Sequence, residues 1–273
     1  MLSSKLRESA SHPSSEHMFK AIRIALLSFV LLFVVLSNVL TAARSTDWNN
    51  TLWIKVYPIN GDGSPEAAKF IASLKDRDFE GIEAFIARET ERYERAVNRP
   101  VRMELGTEIK EQPPELGKAP SFFTVMLWSL KMRWWAGSVT DDQDRIDPDV
   151  RIFVRYHKPN FDVVLENSVG LQKGMVGIVN AYASRRHRGA NNVIIAHEFL
   201  HTLGASDKYD AKNGQPIGPD GLAEPERSPL YPQRFAEIMG GRIALADNDA
   251  VIPKSLKYAV IGPLTASEIN LID

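Results

Sequence analysis

The 273-residue chain contains no cysteine, which excludes disulfides, thiolate metal sites and a cysteine nucleophile together. The redox compartment stays open on this count, because a cysteine-free chain can still be exported. Histidine is scarce and unevenly placed: His12, His17, His157, His187, His197 and His201, with none after His201. If the last pair holds a metal, any ligand further downstream must be a carboxylate. An excess of either charge is absent too. The 33 Lys and Arg against 34 Asp and Glu leave a formal net charge of -1, so nothing electrostatic favours nucleic acid as a partner. Internal repeats and low-complexity tracts are also missing. What remains is a chain long enough for one ordinary globular domain and an appendage.

The appendage is N-terminal. From Ile24 to Ala43 no residue is charged, and as a helix at about 1.5 Å per residue this run spans roughly 30 Å, the thickness of a bilayer's hydrocarbon core. Lys5, Arg7, Lys20 and Arg23 precede it and only Arg44 follows closely, an asymmetry that keeps the N-terminus cytoplasmic. A cleaved signal peptide is the competing reading, with Thr41 and Ala43 as small residues at the cleavage positions. The run exceeds the usual apolar length of such signals, so a retained anchor is expected. The expected organisation is a cytoplasmic tail (1–23), a transmembrane signal anchor (24–43), a polar linker (44–50) and a domain (51–273) facing the periplasm or the extracellular space.

Within that domain, Leu52–Pro58 alternates as a strand does and ends at the turn Asn60-Gly61-Asp62-Gly63. Pro65 to Arg95 reads as helical, with Phe79, Ile82, Phe85 and Ile86 on one face. Val101–Leu105, Val150–Tyr156 and Gly174–Ser184 are further predicted strands. This order implies an α+β or mixed α/β domain, a mixed sheet backed by helices. Phe122–Trp135 is apolar and aromatic, but Lys131 and Arg133 interrupt it before it could cross a bilayer. It is expected to be a core helix, with a helix at the membrane surface as the alternative suited to Trp134-Trp135. The acidic run Asp141, Asp142, Asp144, Asp147 and Asp149 has no EF-hand spacing, and a solvated loop is expected rather than a calcium site.

The chemistry lies in His197-Glu198-Phe199-Leu200-His201. Two histidines four apart on a helix project from one face and can address one ion. Glu198, about 100° round the helix from His197, stands beside that ion, where it can move a proton between a water and a leaving amine. Ile195, Ala196, Phe199, Leu200 and Leu203 fall on the other side as core anchors, and Asn191 or Asn192 is a suitable N-cap. Gly204 permits a positive φ that ends the helix. The chain can then double back and bring Asp207 to the ion as third ligand, leaving a fourth position for water. Asp210 and Glu237 are the alternative carboxylates.

The pattern His197-Glu198-x-x-His201-x-x-Gly204-x-x-Asp207 resembles the extended zinc motif of the metzincin metallopeptidases, in the snapalysin-like variant with aspartate in place of the third histidine. The resemblance implies a twisted mixed sheet with backing helices, an active-site helix, Zn2+ as cofactor and a peptide or protein substrate. It also implies a methionine turn beneath the metal, for which Glu237-Ile238-Met239-Gly240-Gly241 is the counterpart, with Met239 as a structural floor. A plain core methionine is the alternative for Met239. Gly241 stands where astacin-like members carry a metal-binding tyrosine, which leaves transition-state stabilisation unassigned, with Tyr209 and Tyr231 as candidates.

The expected activity is peptide hydrolysis by a zinc endopeptidase, with the lipid bilayer as partner through residues 24–43. Val163–Gln172 is the expected sheet edge for substrate. Arg185-Arg186-His187-Arg188 is expected to be a solvated basic loop, with a preference for acidic groups as the alternative. Two other functions carry the same motif: a zinc hydrolase acting on non-protein amides such as those of the cell wall, and an inactive, membrane-tethered binding module.

Overall fold

Strand β1 (Leu52–Asn60) alternates at its start, with Leu52, Ile54 and Val56 buried and Trp53 and Lys55 only half-buried, and is then buried on both faces through Ile59. Such a change within one strand means that the second face is covered along part of its length. The computed structural model, which describes residues 18–29, 32, 46–117, 121–140, 147–159, 168–171 and 175–272, shows the cover. β1 lies inside a five-stranded sheet of order β2-β1-β3-β5-β4, formed with β2 (Val101–Leu105), β3 (Val150–His157), β4 (Val169–Leu171) and β5 (Val176–Tyr182). The β1, β2, β3 and β5 pairings are parallel and β4 runs antiparallel on the β5 edge. This is a mixed α/β fold with a parallel central sheet.

Residues of one parity face one layer. Ile54, Val56, Ile152, Val154, Val179 and Ala181 join the larger core cluster, packed beneath helices α1 (Pro65–Ala72), α2 (Glu80–Arg92) and α4 (Arg188–Leu203). The opposite parity, Tyr57, Ile59, Phe153, Val176 and Ile178, joins a second cluster with Trp128, Met132, Trp135 and Ala136 of α3 (Phe122–Thr140). A short helix, α5 (Pro263–Glu268), closes the chain. The small pairings of β6 (Ala236–Glu237) with β9 (Ala259–Val260) and of β7 (Ile243–Ala246) with β8 (Asp249–Val251) organise its last forty or so residues.

Two expectations change. The helix predicted over 65–95 is broken into α1, a 3-10 turn at Asp76–Asp78, and α2. The cause is Asp78, buried despite its charge, whose carboxylate accepts the Lys75 amide and the guanidinium groups of Arg185 and Arg188. A buried carboxylate needs these partners, and reaching them puts Lys75 in extended backbone. The predicted linker 44–50 is not free over its described part: Thr46 and Trp48 are buried, and Trp48 Nε1 donates to the Ile269 carbonyl at 2.8 Å. Asp147 and Asp149, the described members of the acidic run, are exposed in a loop as expected, with Asp147 on Arg151 and Asp149 accepting the Trp53 amide; Asp141, Asp142 and Asp144 lie outside the described residues.

The chain divides into two units, Met1–Thr41 and Ala42–Asp273. In the first, residues 18–29 and 32 are helical. Residues 30, 31 and 33–43 of the predicted anchor lie outside the described residues, and among the described residues no helix is long and apolar enough to cross a membrane. Of the expected substrate edge, 163–167 and 172 are likewise outside, while β4 does form the antiparallel sheet edge.

Candidate metal centre

β5 leads through a 3-10 turn, Arg185–His187, into α4. The turn is capped by Ser184, whose hydroxyl accepts the Arg186 amide, so the helix begins three residues before Asn191. Asn191 and Asn192 are therefore ties rather than caps. Asn191 exchanges hydrogen bonds with the Tyr182 backbone, and Asn192 donates to the Asp78 carbonyl at 2.9 Å. Ile195, Ala196, Phe199, Leu200 and Leu203 are buried, which seats α4 on the sheet. It ends at Gly204, where φ is 113°, a region that disfavours any side chain, and the Ala205 amide bonds the Leu200 carbonyl.

The chain then returns across the helix. The Lys208 amide donates to the Met239 carbonyl at 2.9 Å, and the Lys208 carbonyl accepts the Ile217 amide at 2.8 Å. This backbone is thus held between the methionine turn and the following loop. Lys208 itself is buried, with its ammonium on Glu268 at 2.7 Å and on the Ser206 carbonyl, and Glu268 also accepts the Ser206 amide. Asp207 sits between these two fixed residues. A Cβ on Gly240 would lie 2.3 Å from the Gly221 carbonyl oxygen, so the turn needs glycine there for close backbone approach.

The result is a small triangle of ligand atoms. His197 Nε2 and His201 Nε2 are 3.1 Å apart, and Asp207 Oδ1 is 3.1 Å from the first and 3.0 Å from the second. His197 Nδ1 faces the Ile238 carbonyl at 2.9 Å and His201 Nδ1 faces the Ala205 carbonyl at 2.7 Å. A carbonyl only accepts, so each Nδ1 donates to it and each ring turns its Nε2 inward toward Asp207. Two imidazole nitrogens and a carboxylate oxygen at these distances are compatible with a shared proton or with a metal cation among them. His197, Glu198 and His201 also offer ligand atoms within 4.8 Å of one another, a group that could hold a metal ion.

The electrostatics follow from this crowding. Burial tends to raise the Asp207 carboxyl, but the two imidazoles outweigh it and hold it far below the usual range. Burial tends to lower His201, and its contact with Asp207, the charge of Glu198 and the Ala205 carbonyl outweigh that and raise it. Glu198 is buried, and burial pushes its carboxyl up against the opposing pull of the two histidines. Among the described residues its Oε2 has no hydrogen-bond partner.

The alternative carboxylates are occupied elsewhere. Glu237 is fully buried and accepts the Gly240 and Gly262 amides and the Thr265 hydroxyl. It builds the turn on which Met239, also fully buried, is carried. Asp210 accepts the Lys212 amide within its own loop. Of the two tyrosines, Tyr209 comes to the site, its ring centroid 6.1 Å from that of His197; burial and the charges of Asp207 and Glu198 raise its hydroxyl pKa. Tyr231 is turned toward Asp247 instead. The spacing of the motif gave no sign of Lys208, Glu268 or the Ile238 carbonyl, because each contact joins segments distant in sequence.

No protein-family model and no curated protein match the chain. Among solved structures it is similar to one described as "Structure of a chaperone-substrate complex", with 16% identity and a TM-score of 0.41, over 81% of this chain and 34% of that one. The chain thus spans about a third of its neighbour's length, and a likeness at this level carries no functional argument.

Proposed function

We propose that this chain is a membrane-anchored zinc endopeptidase of metzincin-like architecture, with His197, His201 and Asp207 as ligands and Glu198 as general base and acid. The observation that carries this is the triangle of two imidazole Nε2 atoms and one carboxylate oxygen 3.0–3.1 Å apart. Tetrahedral zinc with bonds of about 2.0–2.1 Å keeps its ligand atoms roughly 3.3 Å from one another, so the donor set fits with a shift of tenths of an ångström. Two imidazoles and a carboxylate are also the donor chemistry that zinc accepts. When bound, the ion would lower the pKa of a water and polarise a substrate carbonyl.

The remaining work falls to the chain's own groups. The carbonyls of Ile238 and Ala205 fix the tautomer and tilt of the two rings. Glu198, with Oε2 unpartnered, is available to take a proton from water and return it to the leaving amine. A purely structural site would give no reason to bury an unpartnered carboxylate beside the ligands, which argues against the inactive binding module. Tyr209 is the candidate donor to the oxyanion that develops on the substrate. Placement in a membrane is supported by the charge-free run 24–43. The basic flank orients the N-terminus to the cytoplasm and the globular unit outward.

The full chain, purified in detergent, is expected to hold about one zinc per molecule by elemental analysis and to cleave casein or a peptide library until a chelator is added. Glu198→Gln should keep the metal and lose activity by about 10²–10⁴-fold. A variant that cleaves as fast as the parent removes Glu198 from the mechanism, and unaltered zinc affinity in Asp207→Ala removes Asp207 from the ligands. Chelator-sensitive cleavage of cell-wall amides with no cleavage of any peptide would move the substrate to the non-protein class.

A further inference from the structure

After His201, three basic side chains are partly or fully withdrawn from solvent: Lys208, Arg227 and Arg242. Lys208 meets Glu268 and Arg227 meets Glu224. Arg242, half-buried, has neither an ion pair nor a hydrogen bond through its guanidinium among the described residues. Its position is nonetheless fixed from both sides. The amide of Gly241, just before it, bonds the Glu237 carbonyl at 2.9 Å, and Ile243, just after it, begins β7. The guanidinium lies along Gly214, where a Cβ would stand 3.2 Å from its Nε and Nη2. That glycine belongs to a turn closed by its own bonds, the Gly214 amide to the Asp210 carbonyl at 2.7 Å and the Asp210 amide to the Gln215 carbonyl at 2.8 Å. The metal centre is one ring away. Tyr209 packs on Gly241, its Cδ1 4.0 Å from the place of a Cβ there, and its centroid is 6.1 Å from that of His197. The Arg242 charge reaches the Tyr209 hydroxyl, where it opposes those of Asp207 and Glu198.

We propose that Arg242 is a specificity-determining residue of this centre, receiving a carboxylate of the substrate on the Tyr209 side of the metal ligands. The inference rests on the peptidase reading and narrows its substrate class to peptides that bring a negative group beside the cleaved bond. A guanidinium withdrawn from water without an acid has given up part of its hydration and gained no partner from the chain. Its planar fork of donors matches a carboxylate through two parallel hydrogen bonds. The acids nearby do not fill that place. Asp207 is held by the two imidazoles, Asp210 accepts the Lys212 amide, and neither they nor Glu198 forms an ion pair with Arg242. A carboxylate that arrives only with the substrate therefore favours an acidic peptide over its neutral isostere, because the isostere leaves the guanidinium unmatched. The same chemistry is offered by an aspartate or glutamate side chain and by a free peptide C-terminus.

The full chain in detergent, loaded with zinc, is assayed on peptides identical except for Glu or Gln at each position near the cleaved bond, each made with a free or an amidated C-terminus. The measured quantity is the ratio of kcat/KM for a carboxylate-bearing peptide to that for its neutral partner. At one position that ratio should exceed one in the parent and fall about tenfold or more in Arg242→Gln, chiefly through KM. Arg242→Lys, which keeps the charge without the fork, should retain part of the preference, and Arg242→Glu should turn it toward a peptide with Lys at that position. A preference that follows the internal glutamate makes the ligand a side chain, and one that follows the free terminus makes it the C-terminal carboxylate; either supports the assignment. An equal loss on charged and neutral peptides, with the ratio unmoved, gives Arg242 the task of holding the 210–215 turn and overturns the proposal, as does a parent with no preference at all. A parent that holds zinc but cuts no peptide overturns the peptidase reading itself, and this substrate class with it.

Discussion

Helices α3 and α4 lie in one domain and differ in what surrounds them. α4 has its whole circumference accounted for: the apolar side in the core, Asn191 and Asn192 tied to neighbouring backbone, and the histidines braced by two carbonyls. Only Glu198 Oε2 is left without a partner there. α3 is buried on one face, whereas Leu127, Leu130 and Trp134 on the other are exposed. The contrast teaches that unmet interactions differ in kind and point to different partners. One buried carboxylate oxygen beside an array of donors calls for a reactant, whereas a broad apolar stripe calls for a surface.

If the α4 region is as tightly braced as this comparison holds, its supports should matter nearly as much as its ligands. Lys208→Met removes the ammonium that joins Glu268 to the Ser206 carbonyl on either side of Asp207. The bracing of ligands by outer contacts is typically worth about 10–100-fold in metal affinity, and a loss of that order is expected by competition with a chromophoric chelator. Glu268→Gln, which keeps the shape but removes the charge and one of the two acceptor oxygens, should lose less. Unchanged affinity in both variants would mean that Asp207 is held by its own backbone alone.

Legibility in the sequence followed range. The helix, its histidine spacing and its stop at Gly204 are local features, and the structure has them at the predicted residues. The strands Val101–Leu105 and Val150–Tyr156, the latter extending to His157 in the structure, were legible because period-two alternation is local as well. The start of α4 was not, since Asn191 and Asn192 look like caps until Tyr182 and Asp78 are seen beside them. The break between α1 and α2 was hidden for the same reason: a charge that reads as part of a solvated helix face is buried under Arg185 and Arg188, more than a hundred residues away. The packing of Trp48 against Ile269 could have been suspected from one aromatic residue in an otherwise polar stretch.

That buried ion pair offers the second, smaller effect. Burial tends to raise the Asp78 carboxyl, but the hydrogen bonds from Arg185, the Lys75 amide and Arg188 together outweigh it and leave its pKa below the ordinary value of 3.8. A carboxyl depressed in the folded state adds stability above its unfolded pKa and loses it as pH falls through the folded one. Asp78→Asn is expected to cost about 1–2 kcal/mol near neutral pH, less than a fully buried pair because both arginines are half-exposed. In chemical denaturation the gap between parent and variant should be flat at neutral pH and close below pH 3.8. A gap that stays constant down to acid pH would assign the cost to shape alone.

The smallest effect belongs to the open helix, and there a near-zero result is the informative one. Trp134 is 74% exposed and contributes little to the folded unit in water, so Trp134→Gln should change stability in detergent-free buffer by less than about 0.5 kcal/mol. Trp135, its buried neighbour in sequence, packs at a tilt against Phe153 with centroids 4.7 Å apart, and Trp135→Ala should cost about 3–5 kcal/mol. Adjacent residues of one type thus separate the two faces by thermal or chemical denaturation, without reference to any activity. If Trp134→Gln destabilised as much as Trp135→Ala, the outward face would already be packed within the chain, and α3, like α4, would have no surface to offer.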